Sequence, residues 1–365
     1  MSLEPIRYGI VALGRAGWDI HIRELRNRAD AKIVAVADPM EERRKQAETE
    51  LGCKSYPTLA KLLKNDEVDV VVIATPSAQH AGDTKKALKA GKHVVCEKPM
   101  AMSLSETDSV IKAARGSGKL LFIHQNYRFH AEFNHLREMI DSGILGRVFH
   151  IRHYQSSFIR RNDWQTLSKN GGGLLNNTCP HFIDVLIQLI GSPIKTIVGD
   201  LQQIASAGDV EDHVKLFLRG ENGVTADMEI STAQNIIPPL PKWIVCGTHG
   251  TLISDGKQST IRYFDPAQVA PLESIDAPAL NRKYGNDDKL PWQEKTVSAE
   301  DRADRRTFYD NVVEVLRENK PMRVTVEQVR EIMHVIAMAR KGTNFPGKPK
   351  PAVESPLAAS RTESV

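Results

Sequence analysis

Gly9-Ile10-Val11-Ala12-Leu13-Gly14-Arg15-Ala16-Gly17 closes an apolar run that begins at Ile6 and leads into a charged, amphipathic stretch from Trp18. A strand that ends in a glycine-bearing turn and opens a helix is the setting of the Gly-x-Gly-x-x-Gly dinucleotide fingerprint. Ala12 stands in the place of the first glycine. Gly14 would let the backbone approach a pyrophosphate, and Gly17 would let the helix pack on the strand. The helix N-terminus offers N–H groups and a positive dipole to the phosphates. An alanine at the first position is tolerated where its φ stays negative. The turn alone is a weak signal, because similar turns occur in other α/β proteins. Asp38, about 20 residues on at the end of a second strand, strengthens it, since an acid there bonds ribose hydroxyls. Asp38-Pro39 also reads as a helix N-cap. Asp38 favours NAD by repelling the 2′-phosphate of NADP. Arg43 and Arg44 blunt that preference.

Working outward, short apolar runs alternate with amphipathic segments over residues 7–123. Lys32–Ala37, Val68–Ala74, His93–Cys96 and Leu120–Ile123 read as strands. Trp18–Arg28, Glu41–Leu51, Ala78–Ala90 and Ser105–Ser117 read as helices. Near-continuous apolar strands separated by helices predict a doubly wound parallel sheet covered on both faces. Beyond two further helices, near Ala131–Ser142 and His181–Ile190, the alternation becomes period two. Val214, Leu216 and Leu218 form one such run; Val224, Ala226, Met228 and Ile230 form the next. Glu221-Asn222-Gly223 between them predicts a hairpin. With Lys242–Cys246, Thr251–Ser254 and Thr260–Phe264, this predicts an α+β domain on an open, mostly antiparallel sheet. The expected division is 1–124, 125–346 and a disordered tail at 347–365, rich in Pro, Ala and Ser. Residues 265–298, with four prolines, read as a long surface loop; Asp301–Glu318 and Val326–Arg340 read as closing helices.

The 365 residues suggest about two domains. At 41% hydrophobic and 26% charged, with a formal charge of +4, the chain reads as an ordinary globular protein without affinity for nucleic acid or anionic membranes. No apolar run reaches the roughly 18–20 residues of a membrane span. The first residues enter a strand directly, leaving no room for a signal peptide. Cys53, Cys96, Cys179 and Cys246 are widely spaced and read as free thiols in a reducing cytoplasm. No His/Cys/Asp group has metal-ligand spacing, so no metal is expected.

Several segments together resemble the glucose–fructose oxidoreductase / inositol dehydrogenase (Gfo/Idh/MocA) family over roughly residues 5–345. They are VALGRAG at 11–17, AVADP at 35–39, TPSAQH at 75–80, AGKHVVCEKPMA at 90–101, NYRFHAEF at 126–133 and GGGLLNNTCPHFID at 171–184. The resemblance implies a Rossmann domain, a second domain with an open sheet, and NAD(P)-linked oxidation of sugars or cyclic polyols. It also implies homodimers or homotetramers assembled through open sheet faces. Lys98 then matches the catalytic lysine and His181 the catalytic histidine. Asn177 occupies the place of an aspartate four residues before that histidine, and Asn126 lies on the nicotinamide side. The cofactor would be lined by Ala12, Gly14, Arg15, Ala16, Gly17, Asp38, Arg43, Thr75, Pro76, His80, Glu97, Lys98 and Asn126.

Dehydrogenation removes a hydride from carbon and a proton from its oxygen, and the nicotinamide takes the hydride. His181, with an ordinary pKa of about 6.5, suits the acid/base role. Lys98 would polarise the reacting oxygen, or act as base if its pKa fell to about 7–8. Asn177 cannot exchange a proton at neutral pH and would orient a substrate hydroxyl. His80, His124 and His130 are better read as structural. Arg160, Arg161, Asp163 and Trp164, with Gln165 and Lys169, suit a sugar: guanidinium and amide groups bond hydroxyls, and an indole face packs on C–H groups. The paired arginines also permit an acidic sugar or a phosphate. Two other readings stay open: an NAD-dependent glycosidase, and a sensor of NAD or sugar without turnover.

Overall fold

The computed structural model describes residues 4–278, 289–300 and 306–346. The first sheet holds β1 (Ile6–Val11), β2 (Ala31–Ala37), β3 (Lys54–Tyr56), β4 (Val70–Ile73), β5 (His93–Cys96) and β6 (Leu121–Ile123). Its order is β3-β2-β1-β4-β5-β6, with every pairing parallel. The run VVVI and the VVC of β5 are buried because helices cover both faces. Those helices are α1 (Arg23–Leu25, preceded by a wider π-helical stretch, Ala16–Ile22), α2 (Glu41–Leu51), α3 (Leu59–Leu62), α4 (His80–Lys89) and α5 (Leu104–Ser117). The short β3 and α3 had no periodic signature in the sequence.

The second sheet comprises β7 (Val148–Ser156), β8 (Ile194–Gln202), β9 (His213–Gly220), β10 (Thr225–Ser231), β11 (Trp243–Gly247), β12 (Gly250–Ser254), β13 (Gln258–Tyr263) and β14 (Gln293–Ser298). Its order is β14-β13-β12-β11-β7-β10-β9-β8, antiparallel except where β7 meets β10. The β9–β10 hairpin turns where expected. Strands β7 and β8 carry charged or polar residues at many exposed positions, which masked them in the sequence. One correction concerns the long loop. Gln293–Ser298 pairs with β13 as an edge strand, and its exposed polar side chains give no apolar alternation. Residues 279–288 of that loop, residues 301–305 of the expected closing helix and the tail at 347–365 lie outside the described residues.

Helices α6 (Ala131–Asp141), α7 (Leu174–Asn177), α8 (Cys179–Ile190), α9 (Phe308–Glu318) and α10 (Val326–Arg340) complete the fold. The apolar α8 packs on β7 and β10, and α10 lies against β8 and α8; together they build the second core. Between β14 and α10 the chain returns to the first core. Phe308, Tyr309, Val312 and Val315 of α9 belong to the first core. The opposite face of the second sheet leaves Phe149, Val198 and Ile253 exposed.

Candidate active site

The turn after β1 places the first wall. Ala12 adopts φ +70°, a left-handed conformation that a side chain makes costly, by about 1–2 kcal/mol. This corrects the expectation of a negative φ. The reason is steric: a side chain on Gly17 would overlap the Ala12 carbonyl oxygen, so helix and turn cross at contact distance. The chain must therefore bend sharply at residue 12. Above Gly14 there is open space, with no atom within 4 Å of a would-be side chain. Arg15 is exposed beside it, and Ala16 opens the helix.

Asp38 is buried, and its carboxylate accepts from the backbone N–H of Leu13 at 2.8 Å and of Met40 at 2.8 Å. It thus ties the turn to the end of β2. It is not the N-cap of α2; Met40 holds that position. The proline after Asp38 displaces the helix start by two residues. Arg43 stands 3.5 Å from the Asp38 carboxylate, and Arg44 donates to the Asp38 and Pro39 carbonyls.

Opposite lie Thr75-Pro76 and the Glu97-Lys98-Pro99 segment, joined by His80. Its two ring nitrogens sit 2.7 Å from the carbonyl oxygens of Thr75 and Pro99. Burial pushes its pKa down. The neutral ring donates to one of these two carbonyls and packs its other nitrogen against the second, which places His80 between the two loops. Glu97 turns its carboxylate inward, against His21 and His124.

Lys98 and Asn177, 79 residues apart, meet here: the Lys98 amine donates to the Asn177 carbonyl at 2.6 Å. Burial lowers the Lys98 pKa, with Glu97 opposing and Arg15 reinforcing. Asn177 ends α7, and its side-chain amide donates to Gln165 Oε1 at 2.9 Å. Arg161 donates to the same Gln165 oxygen and pairs with Asp163 at 2.6 Å. The loop of Arg161, Asp163 and Gln165 is thereby connected to the Lys98 amine through Asn177. Trp164 is exposed on that loop, as is Arg160. Gly171 and Gly173 both have positive φ, and a side chain on Gly173 would strike the Glu211 carboxylate, which caps α7 by accepting from Leu175 N–H.

His181 lies in the first turn of α8. Its ring stacks on Tyr127 (centroids 4.3 Å, interplanar angle 21°), and His130 packs on Tyr127 at 4.3 Å. Burial first, then the adjacent Lys98, hold His181 well below its ordinary pKa. The imidazole is neutral at pH 7, in the form that accepts a proton. His181 Nδ1, Asn126 Oδ1 and Thr75 Oγ1 are buried and have no hydrogen-bond partner among the described residues. Tyr127 had no individual signal in the sequence beyond its place next to Asn126. Three further groups, His21, Glu97 and His124, come together within 4.8 Å although the histidines lie far apart in sequence.

Sequence models of this family match both halves. The oxidoreductase family's NAD-binding Rossmann fold covers residues 6–125, and the GFO/IDH/MocA C-terminal domain covers residues 133–253. The chain belongs to the Gfo/Idh/MocA oxidoreductase family. Among its relatives, myo-inositol 2-dehydrogenase of Thermotoga maritima is 28% identical over 70% of this chain and 77% of its own length. An NAD-binding protein from Listeria innocua superposes with a TM-score of 0.79 at 27% identity, covering 94% of this chain and 99% of that one. The WlbA dehydrogenase from Bordetella pertussis, solved with NADH and UDP-GlcNAcA, shares the fold at a TM-score of 0.73 and 22% identity, over 96% of this chain and 100% of that one. The family's members are NAD-dependent oxidoreductases, and NAD is the cofactor. The residues present fit it: the space above Gly14 is open, and the Thr75 hydroxyl and Asn126 carbonyl are buried polar atoms without a partner among the described residues. Among the described residues, no helix is long and apolar enough to cross a membrane.

Proposed function

We propose that this family member is an NAD(P)-dependent dehydrogenase for a hydroxyl-bearing carbon of a sugar, sugar acid or cyclic polyol. The observation that carries the reading is the 2.6 Å contact of Lys98 with Asn177, which joins the two walls of the cleft four residues before His181. The name of the Thermotoga maritima relative supports a polyol substrate. Bound nicotinamide would supply the hydride acceptor. The turn from Ala12 to Gly17, Asp38, Thr75 and Asn126 would hold the cofactor. His181, neutral and stacked on Tyr127, accepts the hydroxyl proton as the C–H bond breaks. The Lys98 ammonium donates to the same oxygen and stabilises its alkoxide character. Asn177 cannot relay a proton; it orients the Lys98 amine through its carbonyl and the Arg161–Gln165 loop through its amide. Arg160, Arg161, Asp163 and Trp164 face the remaining hydroxyls or a carboxylate. Four free cysteines suit a reducing cytoplasm, and the exposed apolar face of the second sheet suits a homodimer or homotetramer.

Asn177 favours one second reading. Its amide is committed to Gln165, so a sensor that binds NAD or a sugar without turnover would use the same residues. Near-UV absorbance of reduced nicotinamide, across inositols, aldoses and sugar acids with NAD or NADP, separates the two. A rise that is lost in His181→Ala supports the dehydrogenase. Cofactor binding with no rise on any substrate supports the sensor.

A further inference from the structure

Beneath Lys98 lies a chain of buried polar groups that the hydride-transfer reading does not use. Four elements supply it: His21 from the first helical stretch, Glu97 from the end of β5, His124 from the end of β6, and Tyr309 from α9. Their exposures are at most 6%. His21 Nε2 lies 3.1 Å from Glu97 Oε1, and His124 Nδ1 lies 2.8 Å from the same oxygen. The other carboxylate oxygen accepts the Lys98 backbone N–H at 3.1 Å. His21 Nδ1 meets the Tyr309 hydroxyl at 2.7 Å.

With Glu97 ionised, the contacts direct the hydrogens. An ionised carboxylate only accepts. His21 Nε2 and His124 Nδ1 therefore both carry hydrogen and donate to Glu97 Oε1. A neutral His21 then has a lone pair on Nδ1, which accepts the Tyr309 O–H. Burial holds the His21 pKa down, which keeps this ring neutral, and the carboxylate supplies the negative charge of the group. A carboxylate this deep is costly to ionise unless several donors converge on it. Three donors do so here, and each is held by a different element of the first core. A protonated Glu97 would lose this arrangement, because its O–H would confront an N–H.

We propose that His21 and His124 are positioning residues for Lys98: by donating to one oxygen of Glu97 they fix a buried anion next to the lysine, and that anion keeps the Lys98 amine an ammonium able to donate to a substrate oxygen. The proposal rests on the role of Lys98 in the dehydrogenase reading, but its chemistry can be read without turnover. The charged and titratable groups around Lys98 are Glu97 on its own segment, Arg15 from the turn after β1, His80 from α4 and His181 from α8. Glu97 is the one anion among them. Without it, desolvation and Arg15 both favour the free amine.

The test is competitive acetylation of Lys98 by acetic anhydride across pH, read by peptide mass spectrometry on the full chain. Wild type is compared with His124→Phe, which fills the space without donating, and His124→Asn, whose side-chain N–H reaches toward the place of Nδ1. The expected result in His124→Phe is acetylation of Lys98 about tenfold faster near neutral pH, the change that one unit of pKa produces. In His124→Asn the rate stays within about twofold of wild type. If His124→Phe does not fold, Tyr309→Phe removes the hydroxyl that fixes the His21 tautomer, and Lys98 acetylates faster in the same direction. An unchanged rate in a folded His124→Phe, or in Tyr309→Phe where that variant replaces it, overturns the proposal. Equal changes in His124→Phe and His124→Asn, tracking loss of melting temperature, overturn it in favour of packing. Stoichiometric zinc in wild type, lost in His124→Phe, overturns it in favour of a metal site. Failure of the dehydrogenase reading looks different: no substrate is oxidised, while the acetylation pattern stands.

Discussion

His153 offers a perturbation whose size follows from the structure. It sits in β7 with no exposed surface, stacked on Phe182 at 4.0 Å and 18° and against Trp243 at 4.2 Å. Among the described residues neither ring nitrogen makes a well-formed hydrogen bond, the Lys242 backbone being only a weak acceptor for it. Burial, reinforced by Lys242 and opposed by the Lys242 backbone, holds its pKa well below 6.5. In the unfolded chain the ring titrates at about 6.5. As pH falls below that value the unfolded state takes up a proton and the folded state does not, so stability falls with pH. The loss is about 1.4 kcal/mol per pH unit, or about 2 kcal/mol between pH 6.5 and 5, while the folded ring stays neutral. His153→Phe keeps the stack and removes the titration. Urea unfolding at pH 7.5 and pH 5.0 should show wild type losing about 2 kcal/mol more than the variant. The comparison of slopes is insensitive to any overpacking by the larger ring, which shifts both pH values alike. Equal losses in wild type and variant would refute the reasoning, since His153 would then be protonated in the folded protein.

Other outcomes follow from the cleft. Gly14→Ala meets no protein atom, so it should leave the melting temperature unchanged yet weaken NAD binding by about tenfold, measured by calorimetry. Gly17→Ala runs into the Ala12 carbonyl and should lower the melting temperature as well as binding. Lys98→Met should fold and bind NAD while kcat falls by about 100–1000-fold, the usual cost of removing a donor to developing oxyanion charge. The pH profile of kcat/KM for oxidation, measured on whichever polyol is turned over, should show no loss attributable to His181 between pH 7.5 and 6.5, because a depressed pKa keeps the base neutral there. An acid limb centred at 6.5 that disappears in His181→Ala would contradict that assignment.

Much of the architecture is legible in the sequence. The parallel sheet announces itself because strands buried on both faces must be apolar throughout, as in VVVI and the VVC of β5. The hairpin at Glu221-Asn222-Gly223 is legible because turn chemistry is local. Strands β7, β8 and β14 were not, because open or edge strands keep polar side chains and lose the two-residue signature. In the cleft, Lys98, Asn177 and His181 could be named from the family resemblance; their contacts could not.

What the chain determines by itself is what depends on near neighbours: which runs are apolar enough for a parallel sheet, where glycine permits a tight turn, and which residues occupy the family's motif positions. Tertiary structure alone decided how distant groups pair. It set Ala12 in a left-handed conformation so that the carbonyl could pass Gly17. It turned the Glu97 carboxylate away from the cleft and onto two histidines. It brought α9 back to the first core, placing Tyr309 against His21. The physical reason is common to all three. A buried polar group must find its partner wherever the packed core delivers one, and sequence separation sets no limit on that search.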